Sequence, residues 1–264
     1  MSRQKGILKL VGTLNGQCFY KLNGQYIVRK AVGPSRERIA NDPAYAKVKG
    51  NNQEFAAASQ LSKALRKGLG DKAIQFKHQH MASRLTGCCR KIIQKGSGAL
   101  GEREAHLFNN PAALIGFQLN KDLAFEQLYQ ATPKVTSNTQ RTLVTIRCLE
   151  SSAHLHYSVP KKASHYQLTV AISCVSKLQW QPSLQAYTAA HPEQQSLGGT
   201  VQSLALAIDA AATDLELQWQ APTINGILTD VAITVWLGIA YLKQQDQGYA
   251  CYAIPQAMQC IAVI

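Results

Sequence analysis

Three short runs of apolar and aromatic residues open the chain, at 7–14, 17–22 and 25–31, and each junction between them is an Asn-Gly pair, Asn15-Gly16 and Asn23-Gly24. Both central residues of a type I′ turn need positive φ, which Asn and Gly tolerate, so two such pairs in succession predict a three-stranded meander. A meander this short is marginal alone and must pack on something. Gly33-Pro34-Ser35 ends it. Asp42 then stands before Pro43 as the start of a helix, a capping carboxylate followed by a residue whose missing N–H costs nothing at the first helical position. That helix is expected to reach Lys49 and to be interrupted by Gly50-Asn51-Asn52.

From 53 to 69 the period changes to three and four, with Phe55, Ala58, Leu61, Leu65 and Leu69 on one face and Lys63, Arg66 and Lys67 on the other. This is an amphipathic helix, closed by Gly68 and Gly70. A second helix is predicted over 71–95, with Ile74, Met81, Leu85, Ile92 and Ile93 inside and Lys72, Lys77, Arg84, Arg90, Lys91 and Lys95 outside. Lys95-Gly96-Ser97-Gly98 reads as a linker.

Beyond Asn110-Pro111 the period becomes two. Strand-like runs fall at 114–119, 142–149, 165–180, 200–208, 215–219, 227–242, 249–254 and 258–263, punctuated by Pro160-Lys161-Lys162, Gly198-Gly199, Asn225-Gly226 and Asp246-Gln247-Gly248. In 165–177 Leu168, Val170, Ile172 and Cys174 face one way while Gln167, Thr169, Ala171 and Ser173 face the other. Many strands without intervening helices predict an antiparallel sandwich or barrel. The fold expected is therefore α+β, with a basic meander and helical arm over 1–98 and a β-sandwich body over 99–264.

Charge sharpens that division. Residues 1–104 carry 20 Lys and Arg against 6 Asp and Glu, and residues 105–264 carry 8 against 9, so the whole net charge of +13 lies in the front. Such a block attracts polyanions. The longest apolar stretch, 231–242, is far short of the ~20 residues of a membrane-spanning helix, and reads as a core strand. The first residues lack the apolar segment of a secretory signal. Seven scattered cysteines with no C-x-x-C pair point to reduced thiols in a reducing, cytoplasmic compartment rather than to disulfides or a zinc knuckle. Cys88-Cys89 beside Arg90-Lys91 is the pair whose basic context would favour a thiolate.

Few residues invite chemistry. Gly96-Ser97-Gly98-Ala99-Leu100-Gly101 matches G-x-G-x-x-G, yet a dinucleotide site needs a strand before it, where a helix is expected here. His154 and His156 share one face of an extended segment with Glu150, a set that could hold a metal. No further carboxylate follows at the short spacing of cupins, so polar residues at a strand end are the simpler reading. No nucleophile elbow, phosphate loop or Cys–His–Asn set is present. No cofactor and no small-molecule substrate is expected.

The front offers a binding surface instead. Arg29, Lys30, Arg36 and Arg38 flank a turn beside Tyr20 and Tyr26, Lys63, Arg66 and Lys67 cluster on one helix, and Arg90 and Lys91 lie on the next. Cations beside aromatics suit phosphate backbones and stacked bases, although no RRM, KH, helix-turn-helix or zinc-finger signature accompanies them.

The segments Lys5-Gly6-Ile7-Leu8-Lys9-Leu10-Val11-Gly12-Thr13-Leu14, Phe19-Tyr20-Lys21, Arg38-Ile39-Ala40-Asn41-Asp42-Pro43-Ala44-Tyr45, Asn52-Gln53-Glu54-Phe55 and Lys63-Ala64-Leu65-Arg66 resemble a family of small basic proteins common in Bacteroidota genomes, a family without an assigned activity. The resemblance covers roughly the first 70 residues. It implies a bacterial cytoplasmic setting and carries over no site residue. The function expected is a non-enzymatic, self-assembling homo-oligomer whose basic arm meets neighbouring subunits or a polyanion. A nucleic-acid-binding protein is the alternative, and a metal-dependent β-sandwich enzyme the minor one.

Overall fold

The computed structural model describes residues 2–31, 33–151, 155–223 and 225–264. The protein is α+β, with antiparallel pairing in every sheet, and it divides into two compact units, residues 1–49 and 50–264.

In the first unit, β1 (Ser2–Arg3), β2 (Gly12–Leu14), β3 (Gln17–Leu22) and β4 (Gln25–Lys30) form one sheet in the order β1-β4-β3-β2. Asn15 and Gly16, and then Asn23 and Gly24, all have positive φ, as the meander requires. The strand expected over 7–14 shrinks to three residues, and the short strand β1 takes the other edge of the sheet. A six-residue helix, α1 (Arg36–Asn41), follows, capped by Ser35. Asp42 accepts from the Ala44 amide at 3.0 Å and opens a 3-10 turn, Pro43–Tyr45.

That turn runs into α2 (Ala46–Ile74), whose residues from Gly50 onward belong to the second unit. The interruption expected at Gly50-Asn51-Asn52 does not occur. Gly50 instead serves close packing, because a Cβ there would stand 2.9 Å from Leu100. Ala58, Leu61, Leu65 and Leu69 are buried as the period predicts, joined by Ala57 and Ala64, whereas Phe55 is exposed. Gly70, at φ 74°, breaks the helix where a stop was expected. A final turn carries the chain to Phe76, buried in the core, so α3 spans Met81–Ile93 rather than starting at 71.

The second unit is built on a five-stranded sheet. β10 (Gly198–Gln202) and β11 (Leu206–Ala207) both pair with β7 (His165–Ser176), which pairs in turn with β13 (Val231–Gln245), and β14 (Gly248–Val263) completes the order β10-β7-β13-β14. A three-stranded sheet follows the order β12-β6-β5, from β12 (Thr213–Gln220), β6 (Leu143–Ser151) and β5 (Pro133–Ser137); β8 (Leu178–Gln181) and β9 (Ala186–Ala189) make a small hairpin. Residues 114–119, expected as a strand, instead make a turn whose backbone bonds Met258 and Cys260 of β14. Gly198-Gly199, expected as a turn, lies within β10.

Alternate residues of the central strands feed two cores. Val231, Ile233, Val235, Leu237, Ile239 and Tyr241 of β13 join Leu168, Val170, Ile172 and Cys174 of β7 in a cluster shared with Val144, Ile146 and Cys148 of β6 and with Leu217 and Trp219 of β12. Ala232, Trp236 and Ala240, with Ala171 and Val175, point the other way into a cluster shared with α2 and α3. The central sheet is thus covered on both faces, which is why residues 231–242 are buried without interruption. Each fully buried leucine or isoleucine of these cores contributes roughly 1.5–3 kcal/mol.

This second cluster moves the domain boundary. The boundary expected at 98/99 would separate α2 and α3 from the strands, yet Leu61, Leu65, Leu85, Cys89, Ile92 and Ile93 share their core with Trp236 and Met258. The compact units divide between Lys49 and Gly50 instead.

Candidate partner and polyanion surface

In the first unit, Arg29 and Lys30 end β4, and both are exposed. The Arg29 guanidinium lies 5.7 Å from the Tyr20 ring centre, Lys21 Nζ 5.5 Å from Tyr26, and the Arg38 guanidinium 5.4 Å from Tyr45. Cations at these distances from an aromatic face gain about 0.5–1 kcal/mol at exposed sites. Arg38 also pairs with Asp42 through its Nε at 3.2 Å, while Arg36 is exposed at the start of α1. Ten Lys and Arg against two Asp and Glu stand in residues 1–49.

The apolar side chains of this unit are unusually placed. Ile7, Leu8, Leu10, Val11, Leu14 and Leu22 are exposed, and no described residue from Ser2 to Lys49 is buried. Neither apolar cluster takes a residue from this segment. Apolar and cationic side chains thus share the exposed surface of this unit.

In the second unit, Lys63, Arg66 and Lys67 project from the exposed face of α2, as their spacing predicts. With Lys77 they border a cavity of about 280 Å³ over Leu69, Ala73, Ile74, Met81 and Leu119. Lys63 and Lys67 also border a second hollow of about 300 Å³, shared with Gln60, Pro192, Gln195 and Ser196. Arg66 Nε donates to the Ser62 carbonyl at 3.2 Å.

Two of the α3 cations expected on the outer face sit differently. Arg84 is partly buried, donating to the carbonyls of Gln118 at 2.6 Å and Leu119 at 3.1 Å and lying 4.9 Å from the Phe117 ring. Arg90 turns toward α2 and donates to Asn51 Oδ1 at 3.3 Å, with its Nε buried and without a partner among the described residues. Lys91 is exposed.

The remaining candidates resolve into packing. Cys88 and Cys89 are buried, and burial pushes the Cys88 thiol up to about 11 and Cys89 higher still, against the thiolate that the basic context suggested. Gly101 of the G-x-G-x-x-G segment packs on α2, where its amide donates to Glu54 Oε1 at 3.1 Å. His154 lies outside the described residues. His156 does not face an open metal site but packs among Tyr129, Tyr166 and Tyr241, with ring centres 4.2–5.9 Å away. No group of three His, Cys, Asp or Glu side chains able to hold a metal occurs among the described residues. No described helix is long and apolar enough to cross a membrane.

Sequence reading missed this tyrosine cluster. Tyr129 and Tyr166 both bond to the Ser151 hydroxyl, at 2.9 Å for Tyr166. Tyr241 donates to the Leu128 carbonyl at 2.9 Å. Its oxygen therefore accepts the proton of His156 Nδ1, 3.3 Å away, which leaves Nε2 as an acceptor with no partner among the described residues. Protonating Nε2 would bury an unmatched donor, and this desolvation lowers the His156 pKa to about 4. Tyr129, His156, Tyr166 and Tyr241 are scattered from residue 129 to residue 241, and no spacing rule links them.

No protein-family model, no curated protein and no solved structure matches the chain.

Proposed function

We propose that the protein is a non-enzymatic, self-assembling structural protein, in which the two sheets that share a core form a β-sandwich body and the basic N-terminal sheet contacts a neighbouring copy. One observation carries the reading: the described residues from Ser2 to Lys49 bury no side chain while exposing seven large apolar ones, Val48 among them. Small sheets need a covered hydrophobic face for independent stability. Residues 105–264, with 8 cations against 9 acids, supply a surface that does not repel the cationic sheet.

Sedimentation of the purified full-length chain at low and high salt, with and without nuclease, tests it. The expected result is a species several times the 28.9 kDa chain mass that survives nuclease. An Ile7→Glu/Val11→Glu double variant should sediment as a monomer. A monomeric parent chain overturns the proposal.

The second reading, nucleic-acid binding, is favoured by the three exposed cation–tyrosine pairs of the first unit. Guanidinium and ammonium groups over aromatic rings provide both a phosphate contact and a stacking platform. A complex that shrinks to monomer on nuclease treatment supports this reading over assembly.

A further inference from the structure

The cavity bordered by Lys63, Arg66, Lys67 and Lys77 combines two properties seldom found together on a solvated helix face. Its floor is apolar: Leu69, Ala73, Met81 and Leu119 are buried side chains that reach it from α2, α3 and the turn that follows residue 116, and Ile74 forms its half-exposed wall. Its mouth is cationic throughout, with four basic residues and no acid among the lining side chains.

These cations are uncommitted. The side chains of Lys63, Lys67 and Lys77 make no ion pair or hydrogen bond among the described residues, and the Arg66 side chain uses only its Nε, toward its own helix. Acids close in sequence do not neutralise them: Asp71 does not line the cavity, and Asp122 is held by His78 at 3.0 Å and Lys121 at 2.9 Å. Four like charges around one opening repel one another, and that repulsion is relieved by an anion.

Size and charge together select the occupant. About 280 Å³ lies at the lower edge of the ~300–1,000 Å³ of small-molecule sites, too small for a folded peptide element. The basic N-terminal sheet of a second copy carries the wrong charge for this mouth. An apolar floor gains nothing from a bare inorganic anion. We propose that this groove binds a soluble, single-chain alkyl anion, its tail on Leu69, Ala73, Ile74, Met81 and Leu119 and its carboxylate or phosphate head among Lys63, Arg66, Lys67 and Lys77. This site is independent of the assembly surface of the first unit.

Isothermal titration of the full-length protein with decyl phosphate, below its micelle concentration, tests the site against three comparators: inorganic phosphate, decyltrimethylammonium and phosphatidic acid vesicles. Saturable one-to-one binding of decyl phosphate alone is expected. Lys67→Glu and Ile74→Glu, both at exposed positions, should each weaken it by at least about tenfold without moving the melting temperature. Lys134→Glu on β5, exposed and outside the groove, should leave it unchanged. Equal binding of inorganic phosphate or of the decyl cation overturns the proposal, as does binding to vesicles only, or an equal loss in Lys134→Glu. Oligomeric state is read separately by sedimentation, so failure here leaves the assembly proposal standing.

Discussion

Gly68 of α2 lies so close to Ser173 of β7 that a Cβ built on the glycine would stand 2.2 Å from the serine hydroxyl and 2.9 Å from its Cα. The helix thus rests on the small-residue face of the central sheet, and Ser173 Oγ donates to the Ala64 carbonyl at 3.3 Å across the same contact. Gly68→Ala is expected to destabilise the protein by about 1–3 kcal/mol, since the Ser173 hydroxyl can rotate but its Cβ and Cα, 2.7 and 2.9 Å away, cannot swing aside. Gly87→Ala on α3, with nothing within 4 Å of its built Cβ, should do the opposite and add about 0.5–1 kcal/mol. Urea unfolding followed by tryptophan fluorescence checks both, because Trp180, Trp219 and Trp236 all lie in the second unit.

Glu54 is fully buried in α2, and its carboxylate is matched by the Gly101 amide at 3.1 Å and by Arg103 Nη1 at 3.2 Å. Removing the guanidinium strands a buried carboxylate. Arg103→Ala is expected to cost roughly 3 kcal/mol, near the lower end for breaking a buried pair because Arg103 is partly exposed. Glu54→Gln, which keeps the acceptor for Gly101, should cost clearly less in the same assay.

Burial of His156 makes stability depend on pH in one direction. With a folded-state pKa near 4 and an unfolded value near ~6.5, the unfolded chain takes up a proton that the folded one refuses as pH falls between those values. Stability should therefore be unaffected by this group above about pH 7 and decline from about 6.5 toward 4. His106, also lowered chiefly by burial, acts in the same sense. His156→Phe should flatten the decline in denaturant midpoint over that window, and an unchanged slope would show that His156 does not cause it.

Thiol chemistry gives a further check on the two cores. Cys88, Cys89, Cys148, Cys174 and Cys260 are buried, and burial raises all five, Cys148 to about 11 and Cys174 to about 12. A chromogenic disulfide reagent applied to the native protein near pH 8 should therefore modify Cys18 and, more slowly, Cys251, an exposed residue whose thiol is raised by partial desolvation. The other five should react only with unfolding. Fast modification of Cys88 or Cys89 would contradict the packing of α3.

What the sequence determined by itself was local. The Asn-Gly turns of the meander, the cap at Asp42, the apolar stripe of α2, the stop at Gly70 and the unbroken strand over 231–242 each follow from a conformational preference or a period that neighbouring residues set. The exposed cluster Lys63, Arg66 and Lys67 was legible for the same reason, since helical spacing alone places it opposite the stripe. Tertiary structure decided what depends on distant residues meeting. Gly50 reads as a helix breaker until Leu100 is seen against it, and residues 114–119 read as a strand until β14 takes their hydrogen bonds in a turn. Alternation in β7 separates two faces, but only the tertiary structure shows that both are buried and that Ser173 is small where α2 comes close. The groove floor joins Leu69 to Leu119, and the tyrosine cluster joins residue 129 to residue 241, pairings set by burying apolar area and matching buried polar atoms in three dimensions, which no one-dimensional pattern records.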